Sequence, residues 1–289
     1  MLDDGSRKFI LEVAGAKEVS REEHVQSLWS GYGVLVRVEF VDAAPVIVKH
    51  IRPRADHGRG DASHRRKLRS YEVESTFYAR YAPHCDDSMR VARLLGQAYS
   101  DGGLLLVLED LDHAGFGHRA RERGSTELVA CLDWLAHFHA RFMGQSPEGL
   151  WAEGSYWHLA TRREELAALG NPEVTTRAVE LDGRLTQGHF RTFVHGDAKP
   201  ANFCFSTKRK RVAAVDFQYV GGGCGMRDVA YLLHETGQNR QARGLDAYFE
   251  TLRAALSPSL DADALEQEWR ELYPIAVADF ERFLVGWGR

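Results

Sequence analysis

The sequence predicts an α+β chain in two lobes, a small antiparallel β-sheet with one helix followed by a larger, mainly helical part. Two strand-like runs near the front, a change to amphipathic helical spacing after about Leu111, and a short hairpin pattern near residue 209 carry that reading. Residues 34–40 and 45–49 are rich in valine and isoleucine, and Asp42, Ala43 and Ala44 between them suit a hairpin turn. Residues 71–81 follow as a helix with Phe77 and Tyr81 on one face, and residues 103–108 form a third strand. Beyond it, Ser125 is placed to cap a helix in which Leu128, Leu132, Leu135, His139 and Phe142 recur at spacings of three and four. Phe193 and Val194 make a short strand, and a hairpin occupies residues 203–215. Helices follow from Asp228, among them residues 246–256. Ser257 and Pro258 break the chain, and Asp261 caps a last helical segment carrying Leu265, Trp269, Leu272, Phe280 and Phe283. The expected division is residues 1–110 for the sheet lobe and 111–289 for the helical lobe.

Composition narrows the possible functions. With 289 residues, 44% hydrophobic and 27% charged, the chain has material for substantial cores and is not disordered in general. A net charge of -4 gives no reason to expect nucleic acid as a partner. The longest aliphatic run, residues 104–108, stops at Glu109, and the start Met1-Leu2-Asp3-Asp4 lacks the basic and apolar stretches of a signal peptide, so no membrane segment is expected. Four scattered cysteines without a Cys-x-x-Cys pair read as reduced thiols in a cytoplasm.

The chemistry concentrates between His195 and Asp216. Pairing centred on Arg209 would set Phe203 opposite Val215 and Asn202 opposite Asp216, two oxygen ligands facing each other at the open end of the hairpin. Asp197 and Lys199 lie just upstream. Asp197 on a loop between strands can take up or orient the proton of a phosphoryl acceptor, and Lys199 can offset charge on the transferring group. Asn202 and Asp216 suit Mg²⁺, which needs few protein carboxylates when phosphates complete its shell. Lys49 ends an apolar strand, where a cation needs a phosphate or carboxylate; Glu74 on the next helix is the natural partner, with Glu72 as a lesser candidate. Ser30, Gly31 and Gly33 form a turn whose backbone could approach phosphates. Residues 106–111, with Glu109 and Leu111, join the lobes and could meet a nucleobase edge while aliphatic side chains cover its faces.

These residues resemble the protein-kinase-like small-molecule phosphotransferases, which include aminoglycoside phosphotransferases, choline kinases and ecdysteroid-kinase-like proteins. The resemblance covers most of the chain. It rests on His195-Gly196-Asp197-x-Lys199-x-x-Asn202 followed by Asp216-Phe217-Gln218, in order and at the family's spacing. Glu74-x-x-Phe77-Tyr78, Leu108-Glu109-Asp110-Leu111 and the Gln218 variant of Asp-Phe-Gly look most like the ecdysteroid-kinase-like branch. The resemblance implies a bilobal kinase-like fold, ATP or GTP as donor, and a small hydroxyl or amino compound as acceptor. It assigns Asp197 as catalytic base, Asn202 and Asp216 as metal ligands, Lys49 as the phosphate-binding lysine and Glu74 as its partner, and gives Asp228 a bracing role behind the catalytic loop. Gly196 replaces the arginine with which protein kinases read a phosphorylated activation loop, and the run from Gly221 to Gly225 leaves no room for such a switch.

Several neighbouring residues have plainer readings. His195 is expected to shape its loop through backbone hydrogen bonds, and His139 to be a satisfied core histidine. The basic cluster at residues 208–211 reads as a solvated hairpin tip. The arginine-rich residues 52–69 read as a mobile stretch that could contribute to binding phosphate or an anionic acceptor. Trp151, Tyr156, Trp157, Trp269, Tyr273, Phe280 and Trp287 divide between core and acceptor pocket, most of them core. The function expected is transfer of the γ-phosphate to a hydroxyl or amine of a small molecule. The alternatives are a nucleotide-binding regulatory protein of the same fold without turnover, and a metal-dependent phosphoester hydrolase built on His195 and Asp197.

Overall fold

A computed structural model describes residues 2–28, 31–52, 62–100, 103–119, 124–168, 170–208, 210–234 and 236–287. Helix α1, Asp4–Ala14, starts at an Asp3 cap whose carboxylate accepts from the Ser6 N–H, and ends at Gly15 in the left-handed region. A five-stranded sheet follows, from β1, Val19–Ser27, β2, Gly33–Phe40, and β3, Val46–Ile51. Helix α2, Ala62–Thr76, runs into a single wide turn at Phe77–Tyr81. The short β4, Arg90–Val91, then precedes β5, Leu94–Ser100, and β6, Gly103–Glu109, and the sheet order is β1-β2-β3-β6-β5. Every neighbouring pair in this sheet is antiparallel.

Strand alternation divides the sheet into two faces. Val36, Val38, Val46, Val48, Leu105 and Val107 point one way and close a core with Leu2 and Ile10 from α1. Ile47 and Lys49 point the other way, where Leu35 pairs with Lys49 across one strand and Leu106 across the other. The sheet lobe therefore has two helices, α1 behind and α2 at its side, where the sequence reading had one. It also has two further strands, β1 and β5. β1 is an edge strand of mixed, largely exposed character, so it lacks the alternation that announces a strand.

The rest of the chain is built on helices. These are α3, Ser125–Arg141, α4, Arg163–Ala168, α5, Pro172–Thr186, α6, Met226–Leu233, α7, Gln238–Ala255, and α8, Ala262–Trp287. Gly124 rather than Ser125 occupies the cap position of α3, one residue earlier than expected. Asp261 does cap α8, accepting from the Ala264 N–H at 3.0 Å. Among the described residues, no helix is long and apolar enough to cross a membrane.

Short strands are set into this helical part: β7, His118–Arg119, β8, Thr192–Val194, β9, Phe203–Phe205, β10, Val212–Ala214, and β11, Gly221–Gly223. β9 and β10 form the expected hairpin with its register moved by one residue, because Phe203 faces Ala214 and not Val215. Six residues, 206–211, link the Phe205 and Val212 pair, and an even loop centres the turn between two residues instead of on Arg209. Asn202 consequently lies across from Val215, whose N–H donates to its carbonyl at 2.9 Å. Asp216 lies one residue past that point.

Candidate active site

The open face of the sheet lobe leads into the site. Val25, Leu35, Ile47, Ala92, Leu108 and Leu111 line a cleft of about 390 Å³ between the lobes. Arg37 closes one rim, donating to Asp110 at 2.7 Å and to Asp112 at 2.5 Å. Glu109 is less free than its position on the connecting strand suggested. Its N–H donates to the Arg93 carbonyl at 2.9 Å, and its carboxylate bonds Arg90 at 2.5 Å. Burial would raise that carboxylate, but Arg90 and Arg93 hold it below its usual range. Its carbonyl is what it can present to a base.

Because side chains two apart share a strand face, the surface that carries Ile47 also carries Lys49. The ammonium is buried, donates to Glu74 at 2.6 Å and lies 3.5 Å from Asp216. Burial works against its charge, yet Glu74 and Asp216 outweigh it and hold Lys49 above its ordinary value. Burial pushes the Glu74 carboxyl up, with Lys49 opposing. Glu72 faces outward toward Arg69 at 3.5 Å, so Glu74 is the partner.

The glycine turn is held by its own hydrogen bonds. The Gly31 N–H donates to the Leu28 carbonyl at 3.1 Å, and the Gly33 carbonyl accepts from Leu28 at 2.8 Å. Gly33 has φ 152°, and a Cβ there would sit 2.0 Å from the His50 carbonyl oxygen. Glycine is required for the approach of β2 to β3, and Gly31 has its amide engaged within the turn. Ser30 lies outside the described residues, as do Arg54 and Arg59 of the basic stretch.

Strand β8 ends at the loop that bears Asp197. The carboxylate of Asp228 on α6 accepts from the N–H groups of His195 at 2.6 Å and Gly196 at 3.0 Å, which fixes the loop from behind. It also meets His139 Nε2 at 3.1 Å, while His139 Nδ1 pairs with the Tyr248 hydroxyl at 2.7 Å. His139 is thus a satisfied core residue. Both ring nitrogens of His195 are engaged as well, Nε2 with the Val215 carbonyl at 3.0 Å and Nδ1 with the Asp197 N–H at 3.3 Å. Both ring nitrogens of His195 are thus taken up in shaping the loop, as expected of a structural histidine.

Asp197 is buried and asymmetrically bound. Its Oδ2 accepts from Lys199 at 2.8 Å and from the Asn202 amide at 2.9 Å. Its Oδ1 is buried without a hydrogen-bond partner. Burial raises this carboxyl above the usual range even though Lys199 pulls it down. Lys199 is raised in turn: burial lowers it, but Asp197 more than offsets that. An unpartnered buried carboxylate oxygen is costly in the free protein and can accept a further hydrogen bond.

Asn202 directs its amide N–H₂ at both the backbone and the side chain of Asp197, leaving its oxygen available for a cation. Asp216 adopts φ 67°, the one positive value outside glycine among the described residues. Phe217, buried beneath it, stacks on Phe77 with ring centres 4.0 Å apart. That packing joins the Asp216 loop to the end of α2, so Lys49, Glu74 and Asp216 are assembled together. One amide oxygen and one carboxylate match the protein share of a Mg²⁺ shell when phosphates supply the rest. Among the described residues, no group of three or more His, Cys, Asp or Glu side chains could hold a metal ion.

The remaining residues from the sequence reading separate clearly. Trp157, Trp269, Tyr273 and Phe280 are core residues, whereas Trp151 and Tyr156 lie beside the catalytic loop. The side chain of Trp287 lies outside the described residues. Lys208, Lys210 and Arg211 are exposed at the hairpin tip. Arg66 and Arg69, from the basic stretch, bond the carbonyls of Thr161 and Leu150 and so tie α2 to the helical lobe. Sequence reasoning missed Tyr231, which lies one helical turn beyond Asp228; their i, i+3 spacing was the available signal.

A family profile described as "Phosphotransferase enzyme family" matches residues 25–272. Comparison with curated proteins found no match. Among solved structures, a macrolide 2'-phosphotransferase from Brachybacterium faecium superposes with TM-score 0.55 at 15% identity, covering 99% of this chain and 93% of that one. An aminoglycoside phosphotransferase from Streptomyces rimosus, in complex with ADP and streptomycin, gives 0.51 at 18% identity, covering 95% of this chain and 99% of that one. An amicoumacin kinase in complex with AMP-PNP, Ca²⁺ and Ami gives 0.51 at 15%, covering 97% of this chain and 86% of that one. At these identities the likeness is one of fold.

Proposed function

The chain belongs to the phosphotransferase enzyme family, and from that membership we propose that it transfers the γ-phosphate of ATP to a hydroxyl group of a small molecule. The observation that carries this reading is the state of Asp197, with Oδ2 bound by Lys199 and Asn202 and Oδ1 buried without a hydrogen-bond partner. A hydroxyl donating to Oδ1 is aligned for attack on the γ-phosphorus. The new bond joins the acceptor oxygen to phosphorus, the bond to the β-phosphate oxygen breaks, and the acceptor proton passes to Asp197. Lys199 offsets negative charge on the group in transit. Lys49, held by Glu74, reaches the donor phosphates, and the base lies in the cleft lined by Leu35, Ile47 and Leu111. The turn at Gly31 and Gly33 covers the phosphates by shape. Asn202 and Asp216 would hold Mg²⁺, which would neutralise charge on the donor phosphates. Solved structures of the same fold with ADP or AMP-PNP support a nucleotide donor.

Incubation with γ-labelled ATP, Mg²⁺ and pooled hydroxyl and amino metabolites tests the reading, beside Asp197→Asn. A labelled small molecule formed only by the unaltered protein is the expected result. Equal product from Asp197→Asn would remove Asp197 from its role. Asp197→Asn should retain Mg-nucleotide affinity, whereas Asp216→Ala should weaken it.

A further inference from the structure

Three phenols gather on the acceptor side of Asp197. Asp228 on α6 binds the N–H groups of His195 and Gly196, and Tyr231, three residues further along the same helix, faces the next residue of the loop, Asp197. The N–H of Tyr156 bonds the Gly196 carbonyl at 3.0 Å. Its ring centre lies 6.0 Å from those of both Tyr231 and Tyr219. Tyr219 stacks on Trp151, whose indole donates to the Gln218 carbonyl at 2.8 Å. Gly196 is pressed into this wall, since a Cβ there would meet the Tyr219 carbonyl oxygen at 2.2 Å. The aromatic segment and the catalytic loop are thus one packed unit. Burial, with Asp197 adding to it, pushes all three phenols above their usual range, so each keeps its proton and can donate.

Two guanidiniums stand beside this wall, on the side away from Asp197. Arg66 and Arg162 share one carboxylate, that of Glu165, at 2.8 Å and 3.1 Å. Two guanidiniums on one carboxylate leave a net positive charge, and the Arg162 guanidinium lies 5.7 Å over the Tyr156 ring. Beyond the Asp197 carboxylate, which Lys199 already holds, an acceptor with several ammonium groups would meet guanidiniums here and lose hydration without further carboxylates to replace it. A ring with hydroxyl groups can stack on the tyrosines and bond their phenols.

We propose that the acceptor is a ring-bearing polyol without cationic groups, seated against Tyr156, Tyr219 and Tyr231, with the Tyr231 phenol orienting the reacting hydroxyl toward Oδ1 of Asp197. The inference rests on the phosphotransfer reading and adds to it the acceptor's charge class and a positioning residue.

The test offers γ-labelled ATP and Mg²⁺ with three pools at matched concentration: neutral ring polyols, ring polyols bearing a carboxylate, and polyamino sugars. Unaltered protein, Tyr231→Phe, Tyr156→Phe and Asp197→Asn are compared. Label should enter the neutral or carboxylate pools. With the acceptor so found, Tyr231→Phe should lower kcat about ten- to hundredfold, the effect of one hydrogen bond lost at a charged centre, with KM for ATP unchanged. Label in the polyamino sugars, or an unaltered kcat in Tyr231→Phe, would overturn this inference and leave phosphotransfer standing. Label that stays in ATP or ends only in inorganic phosphate with every pool would refute the phosphotransfer reading itself, and this inference with it.

Discussion

Asp197 shows how one side chain can work against stability while equipping the site. Its carboxyl is raised by burial, so the folded protein binds this proton more tightly than the unfolded chain does. The stabilising contribution of the protonated form is full below the unfolded value, about 4, and is lost as pH rises through the raised folded value. At neutral pH the ionised group therefore costs stability. Asp197→Asn should raise the Tm of nucleotide-free protein by about 2–4 °C near pH 7. The gain should shrink as pH falls toward 4, which differential scanning calorimetry across that range would show. The acid limb of kcat should lie above the usual carboxylate range for the same reason, and Lys199→Ala should move it higher. Breaking the Lys49–Glu74 pair should have the opposite effect on stability. Glu74→Ala leaves a buried ammonium with Asp216 alone at 3.5 Å and should cost about 3 kcal/mol in urea unfolding. At this scale the sequence was informative, because the polar types at residues 49, 74, 197, 199, 202 and 216 allow few other arrangements. It could not reveal that the Gly31 amide is engaged in its own turn or that Oδ1 of Asp197 is buried without a hydrogen-bond partner, since both depend on the folded backbone around them.

At the level of elements, the apolar strands and the long helices were legible from their periodicity. Helix α1 was not, because Ile10 is its one buried residue and its pattern resembles a solvated segment. β1 was hidden by its charges. The hairpin register differed by one residue because its loop has an even number of residues, and the direction of Asp216 comes from its left-handed backbone; spacing encodes neither. Close packing of glycines gives a sharper prediction. Gly196→Ala would bring a Cβ against the Tyr219 carbonyl oxygen and should lower kcat at least about tenfold while ATP affinity changes little. Gly33→Ala, with its Cβ against the His50 carbonyl, should instead lower stability by about 2 kcal/mol or more, measurable as a loss of Tm. Two glycines with similar local crowding should thus separate into a kinetic and a structural phenotype.

Across the whole molecule, the two lobes meet through Lys49 and Asp216 at the cleft and through α2 at the side, where Arg66 pairs with Glu165 at 2.8 Å. The order of elements along the chain predicted two lobes. These long-range arginine contacts were invisible, because nothing local distinguishes them from a solvated basic stretch. A ligand that joins the lobes should stabilise the protein by mass action, by about 2.7 kcal/mol when Mg-ATP is a hundredfold above its Kd. Asp216→Ala should lose the metal-dependent part of that shift in a thermal melt.

The stack under the Asp216 loop also offers an optical signal. Phe217 lies 6.3 Å from Trp134, which is buried, stacks on Phe138 at 4.8 Å and stands edge-on to His195 at 6.2 Å. Its indole N–H is fixed to the Arg90 carbonyl at 2.9 Å. An indole so enclosed emits at the blue edge, and its surroundings change whenever Phe217 leaves its place. In a variant that keeps Trp134 as its one tryptophan, intrinsic fluorescence can therefore follow the order of the Asp216 loop in real time, with no label attached.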